Sequence, residues 1–159
     1  MRFVRVAVAG AVCALALAAC ALNASPAQGL RFQPPSGWQP SPGIMGFMQF
    51  WRSPGDREAL ILFKSPTQLT ANDVFSNDRM KDTLQDMQIE QRHAIQICGN
   101  QPATYVRGRG TSPKRGDETV EMVFTTIKGA SYFALYTRPI GSSPTFAAQV
   151  ALRELCPKP

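Results

Sequence analysis

Apolar and polar residues alternate along much of the segment 44–138, which is the period of half-buried β-strands. The clearest strands are 118–128 and 131–138, joined by a turn at Lys128-Gly129-Ala130. Residues 44–52 and 58–64 predict an earlier hairpin, and residues 88–98 and 101–109 predict another across Gly99-Asn100. Residues 108–117 are expected to form a loop. A short strand at 30–32 is expected to open the domain.

Two segments have helical spacing instead. The first starts at Thr70, where a hydroxyl is followed three residues later by the Asp73 carboxylate, as in a capping box. A helix continuing to about residue 87 would align Met80, Leu84 and Met87 on one stripe. The alternative is that residues 75–77 divide it into two short helices.

The second helical segment is 146–155, preceded by Ser143 as a candidate N-cap. It places Ala148, Leu152 and Leu155 on one apolar line. The order of strands, helix, longer meander and terminal helix predicts an α+β fold, an antiparallel β-sheet flanked by helices. A chain of 159 residues suits a single domain, expected over residues 30–159.

The N-terminus has the form of a signal peptide. Arg2 and Arg5 precede an uncharged, alanine-rich run that ends in Leu17-Ala18-Ala19-Cys20. This ending resembles the lipobox of bacterial lipoproteins, in which the cysteine thiol receives a diacylglyceryl group and the chain is cut before it. The resemblance implies a signal peptide at 1–19, a lipid anchor at Cys20 and a linker at 20–29. Cleavage after Ala24 and an uncleaved membrane anchor are the alternatives.

The lipobox also implies where the protein resides. An anchor at Cys20 would hold the domain on a membrane of the cell envelope, facing the periplasm. Ala21 is not the aspartate that often retains such proteins at the inner membrane, so the outer membrane is favoured if the cell has two.

Cysteine and histidine content narrows the chemistry. With Cys13 lost and Cys20 acylated, two of the four cysteines remain, and an exported domain favours a Cys98–Cys156 disulfide over two buried thiols. No CxxC pair is present, and His93 is the single histidine, so neither a redox pair nor a zinc site is predicted. We expect no metal and no cofactor.

A basic cluster at Arg107, Arg109, Lys114 and Arg115 is the strongest charge feature. It predicts a site for an anionic partner, with a solvated loop as the alternative. Nucleic acid is not expected, because the cluster lacks interleaved aromatic residues and an exported protein rarely meets it. The apolar run Met45, Phe47, Met48, Phe50 and Trp51 is interpreted as core, with a ligand groove as the alternative.

The entry to the domain, Phe32-x-x-Pro35-x-Gly37-Trp38, resembles that of the PsbP/Mog1-like family. The resemblance covers about residues 30–155. It implies an α/β/α sandwich in which the Trp packs under the sheet. The family includes photosystem-associated proteins, a Ran-binding protein and small bacterial lipoproteins, and it shares no catalytic residues.

These features lead to one functional hypothesis and two alternatives. We expect a non-enzymatic envelope lipoprotein that binds an unknown protein or an amphiphilic or lipid ligand near the membrane surface. The first alternative is a hydrolase or transferase of envelope polymers, which would need His93 or clustered acids in a cleft. The second is a structural subunit that stabilises a membrane complex.

We predict that growth with an alkyne-tagged fatty acid labels the protein and that Cys20→Ser abolishes the label, because acyl transfer to the chain needs the Cys20 thiol. The mass of the intact mature protein measures the same modification. A mature chain that begins at Ser25 without acyl mass would instead support cleavage after Ala24.

Overall fold

The computed structural model describes residues 26–41, 48–75 and 83–159. Within them the chain forms one antiparallel sheet and two short helices. The elements are β1 (Gln39–Ser41), β2 (Met48–Arg52), β3 (Ala59–Ser65), α1 (Ala71–Phe75), β4 (Gln85–Ile97), β5 (Gln101–Ser112), β6 (Gly116–Ile127), β7 (Ala130–Pro139) and α2 (Phe146–Leu152). The strand order is β1-β2-β3-β7-β6-β5-β4, so the predicted antiparallel sheet is confirmed.

The centre of the sheet is the pairing of β3 with β7. It joins the hairpins β1–β3 to the meander β4–β7, and its register runs from Ala59 opposite Thr137 to Ser65 opposite Ser131. Both strands are largely buried, as expected for the middle of a sheet covered on both sides.

Alternation along each strand separates two hydrophobic clusters, one on each face of the sheet. The first face carries Val123, Ala134 and Tyr136, which cluster with Ala148 and Leu152. The second face carries a cluster that includes Ile61, Met122, Leu135, Ala71 and Val74. Residues of α2 therefore pack on the first face and residues of α1 on the second.

The N-terminal segment packs on the first face without forming the short strand expected at 30–32. Leu30 makes only an isolated bridge to Pro157. Trp38 is buried, with its ring centroid 6.4 Å from that of Tyr136, so it packs under the sheet as the family resemblance implies. Pro40 lies in β1, at the edge of the sheet, where no inter-strand N–H bond is lost to a further strand.

The first predicted helix starts as expected but is shorter. Thr70 N–H donates to Asp73 Oδ2 and Asp73 N–H to Thr70 Oγ1, which is the reciprocal bonding of a capping box. Leu84 and Met87, however, do not lie on a helix, because β4 begins at Gln85. A register shift between Gln85 and Gln88 inserts an extra residue into β4.

That bulge explains the misleading spacing. In a regular strand, residues three apart face opposite ways, but one extra residue returns them to the same face. Leu84 is buried in the second-face cluster and Met87 packs against it. A helical i, i+3 spacing is thus produced here by a bulged strand. Met80 lies outside the described residues.

Two further boundaries differ from expectation. The segment 108–117 is not a loop, since β5 continues to Ser112 and β6 begins at Gly116. The terminal helix is α2 (Phe146–Leu152), whose N-cap position is Thr145 rather than Ser143 and has no side-chain capping bond, and Leu155 is buried just beyond the helix. Across the described residues, neither helix is long and apolar enough to cross a bilayer.

The structure places Cys98 and Cys156 at disulfide distance, with Sγ atoms 1.97 Å and Cα atoms 5.8 Å apart. The bond links the β4–β5 turn to the segment after α2. Backbone hydrogen bonds from Arg31 N–H to the Cys156 carbonyl and from Lys158 N–H to the Gly29 carbonyl hold the N-terminal segment at the same place. Both ends of the domain therefore converge on this disulfide.

Replacing both Cys98 and Cys156 by Ala should lower the free energy of unfolding by about 4 kcal/mol, because the bond closes a loop of 58 residues. Urea denaturation of the full chain measures the change. The double variant also serves as the control, since a reducing agent should destabilise the wild type and leave the variant unchanged. A reductant effect of equal size on both would contradict the prediction.

Candidate functional site

A polar cleft of about 480 Å³ lies on the first face of the sheet, beside α2. Its wall is the loop 140–144 with Gln149 of α2. Its floor consists of side chains from four strands, namely Glu90, Tyr105, Arg107, Arg109, Thr119, Glu121 and Arg138. We call this site the arginine cleft.

Strand alternation brings the floor residues together. Tyr105, Arg107 and Arg109 are alternate residues of β5 and so share a face. The register places Arg107 opposite Glu121 of β6. Arg138 lies on the same face of β7. Three arginines face two carboxylates in the cleft, which leaves the floor with a net positive charge.

The deepest part of the floor is a buried ion pair between Arg138 and Glu121. Arg138 Nη2 donates to Glu121 Oε1 at 3.0 Å, and the side chains are 7% and 5% exposed. Arg138 Nη1 also donates to the Ser142 carbonyl at 2.8 Å, and Tyr105 Oη donates to Glu121 Oε2 at 2.9 Å. Each partner is thus held in place by a further hydrogen bond, as a buried pair requires.

Burial, assisted by the Glu121 carboxylate, raises the pKa of Tyr105 to about 12. The Tyr105 hydroxyl therefore stays protonated at neutral pH and acts as a donor to Glu121. The positive charges of Arg107 and Arg153 act on the Tyr105 pKa in the opposite direction. The pKa of Tyr136, which accepts a hydrogen bond from Thr145 N–H, is also raised to about 12 by burial.

At the outer rim, Arg109 pairs with Glu90, with Nε and Oε1 2.5 Å apart. A second register shift, between Ile89 and Gln91, gives Glu90 its position. Gly108 lets β4 approach closely, because a Cβ at that position would overlap the Gln88 carbonyl oxygen. Both paired side chains are partly exposed, so the pair contributes little to stability.

Arg107 differs from its neighbours because its charge is not neutralised. In the described ranges 26–41, 48–75 and 83–159, no carboxylate pairs with it and no acceptor bonds its buried Nε atom. The Nε of Arg138 is buried and unbonded as well. Buried donors without partners are costly, and a guanidinium matches planar oxyanions. The cleft thus has the donors to receive a carboxylate or phosphate group.

The structure separates the four predicted basic residues. Arg115 turns to the second face, where its Nε lies 2.6 Å from Oε1 of the fully buried Glu118. Lys114 is exposed in the β5–β6 turn, beside a second depression of about 380 Å³ in which Arg52 pairs with Asp56. Arg107 and Arg109 therefore share the arginine cleft, whereas Lys114 and Arg115 lie elsewhere.

The other candidate residues lie as follows. His93 is exposed on β4, with its ring centroid 5.0 Å from that of Tyr105. Of the apolar run, Met48 and Trp51 are buried and Phe50 is half-buried, while positions 45 and 47 lie outside the described residues, as does Cys20. Among the residues that the structure describes, no three His, Cys, Asp or Glu side chains form a metal-binding group.

Sequence reasoning missed Glu90, Tyr105, Thr119, Glu121 and Arg138 as site residues, and of these Glu121 and Arg138 could have been found. A signal for them exists in the turn at Lys128-Gly129. Once that turn is fixed, Thr119 must lie opposite Arg138, which puts Glu121 diagonally across from Arg138 on the same face. Opposite charges in this relation, on strands whose other residues toward this face, from 119 to 127 and from 130 to 136, are uncharged, indicate a buried pair.

No protein-family model matches the sequence, and neither does any curated protein. Solved structures do match the fold. The solution structure of cyanobacterial PsbP (CyanoP) from Synechocystis sp. PCC 6803 is 18% identical with a TM-score of 0.51, covering 74% of this chain and 78% of that chain. The crystal structure of a protein of unknown function from Pseudomonas aeruginosa is 19% identical with a TM-score of 0.50, and the match covers 79% of this chain and 90% of that chain. The chain thus has a PsbP-like fold.

Arg138 and Arg107 should respond differently to the same substitution. Arg138→Met leaves the Glu121 carboxylate buried without its partner and should lower the free energy of unfolding by about 3–5 kcal/mol. Arg107→Met keeps the apolar stem and breaks no ion pair, so its cost should stay below about 1 kcal/mol. Urea denaturation of the full chain compares them. Equal losses would show that Arg107 is a structural residue.

Proposed function

We propose that this protein is a non-enzymatic lipoprotein of the cell envelope, anchored through Cys20, that binds an anionic protein or lipid ligand near the membrane surface. The ligand site is the arginine cleft. For the whole domain we propose the PsbP/Mog1-like α/β/α sandwich, with helices covering both faces of the sheet. The single observation that carries the binding proposal is that Arg107, beside the fixed pair Arg138–Glu121, pairs with no carboxylate in the part of the chain that the structure describes.

The physical argument is electrostatic. Glu121 is already neutralised by Arg138, and Arg109 by Glu90, so an incoming anion has no free carboxylate to compete with among these floor residues. Arg107 lines the cleft and is partly exposed, and it makes no ion pair with the described residues, so an anion that binds its guanidinium displaces no carboxylate of those residues. Donors fixed before binding need no reordering, which favours affinity.

The same groups are poor candidates for catalysis. A general base needs a pKa near the working pH. The Tyr105 pKa of about 12 keeps its hydroxyl protonated, and Glu121 is engaged by both Arg138 and Tyr105. The exposed His93 packs on Tyr105 outside the Arg138–Glu121 pair. This supports binding without turnover.

Thermal unfolding of the full chain in neutral detergent tests the binding site. Short-chain phosphatidylglycerol or an acidic peptide, at about ten times its Kd, should raise Tm by roughly 3–5 °C. The expected rise with short-chain phosphatidylcholine is much smaller, because its headgroup has no net charge.

The matched variants are Arg107→Gln, which should abolish the rise, and Lys114→Gln, which should preserve it because Lys114 lies outside the cleft. An equal rise in both variants would place the ligand elsewhere. If neither anion raises Tm, the proposed binding function is wrong.

A further inference from the structure

Next to the arginine cleft the protein exposes large apolar side chains that its own core does not use. Phe146 is 80% exposed, Ile140 45% and Val150 39%. Phe146 and Val150 are four residues apart on α2 and therefore lie on one side of the helix. Exposed apolar groups that cluster, rather than occurring singly, mark an interaction surface.

This apolar group adjoins the basic one. Gln149 forms part of the cleft wall and Ile140 lines the same cleft. Phe146 precedes Gln149 by three residues and Arg153 follows it by four, so both neighbour Gln149 on the helix surface. The charge of Arg153 acts on Tyr105 at the cleft floor. The outer side of α2 and the arginine cleft form one continuous surface, apolar at Phe146 and Val150 and basic at Arg107, Arg109 and Arg153.

The start of the described chain lies at one end of this surface. Ala27 and Arg31 line a shallow depression together with Glu154, which follows α2. Only six residue steps separate Cys20 from Pro26, a span of at most about 20 Å. An acyl anchor at Cys20 would therefore hold Pro26 within that distance of the bilayer, and the C-terminal end of α2 lies beside this segment.

We propose that this surface docks on the bilayer itself, specifically on one that contains anionic phospholipid. Phe146 and Val150 enter the interfacial layer, while Arg107 meets the headgroup phosphates together with Arg109, which is 61% exposed and whose weak surface pair with Glu90 leaves it able to turn toward them. The proposal rests on the proposed function and specifies its ligand. The diacylglyceryl group proposed at Cys20 carries two acyl chains and already attaches the protein to the membrane, so the apolar and basic surface acts by orienting the domain against the bilayer. The attraction of each arginine to the anionic surface is screened by salt.

Tryptophan fluorescence on the full-length, acylated protein tests the docking. Phe146→Trp introduces a reporter at the surface, and the native Trp38 and Trp51, each 8% exposed, give a constant background. Thr126→Trp is the comparison, since Thr126 is exposed outside the proposed surface, at the end of the sheet near the disulfide and the N-terminal segment, where the anchor alone would bring it close to lipid of either charge. Each variant is reconstituted into vesicles with brominated acyl chains, made of phosphatidylcholine alone or with one quarter phosphatidylglycerol.

We expect the tryptophan at position 146 to be quenched roughly twofold more in anionic than in neutral vesicles, and the one at 126 to be unaffected by lipid charge. Adding Arg107→Gln and Arg109→Gln to the Phe146→Trp chain should return quenching to the neutral level. An equal response to lipid charge at positions 146 and 126, or quenching at position 146 that is independent of lipid charge, would overturn the proposal. Cross-links between copies through position 146 without lipid quenching would assign the surface to a second copy instead.

Flotation of the same vesicles separates this inference from the proposed function. Protein that floats but is not quenched at position 146 refutes the docking alone and leaves the anchor intact. If the protein does not float, the anchor is refuted. In that case the unanchored protein is added in excess to the same vesicles, and quenching of the tryptophan at position 146 is measured in that mixture. Charge-dependent quenching in that arm supports the docking surface without the anchor, and its absence overturns it.

Discussion

The pairing of β3 with β7 is the constraint on which the rest of the packing depends. This pairing joins the first three strands to the last four, and its residues contribute to both hydrophobic clusters. Leu60 lies opposite Tyr136 on the first face, and Ile61 lies opposite Leu135 on the second. A slip of one residue would exchange the two faces and expose both cores, so this register is strongly specified.

The arginine cleft exists because the strands of its floor are longer than the helix that packs beside them. Strands β4 to β6 have 12 or 13 residues, whereas β3 has 7 and α2 has 7. A helix of that length covers only part of the first face, and the uncovered part carries charged side chains. Arg138 and Glu121 fix its floor, and Arg107 is the floor arginine that pairs with no carboxylate among the residues that the structure describes.

The sequence predicted the strands well, because alternation at period two survives wherever the sheet is regular. It failed where a bulge altered the period, so that Leu84 and Met87 resembled a helix stripe. It also grouped Arg115 with Arg107 by proximity, although the turn at 113–115 sends Arg115 to the other face and onto Glu118. The buried Arg138–Glu121 pair depends on register across a hairpin, which residue type alone does not reveal.

The bulges in β4 have a consequence for association between molecules. β4 is an edge of the sheet and is long, so its outer backbone groups form a template onto which another extended chain could add. Two register shifts interrupt that row, and the exposed Asp86, Glu90 and Arg92 add charge along it. Natural proteins use both devices to prevent edge-to-edge pairing. The irregularity that positions Glu90 beside Arg109 therefore also protects the sheet against aggregation.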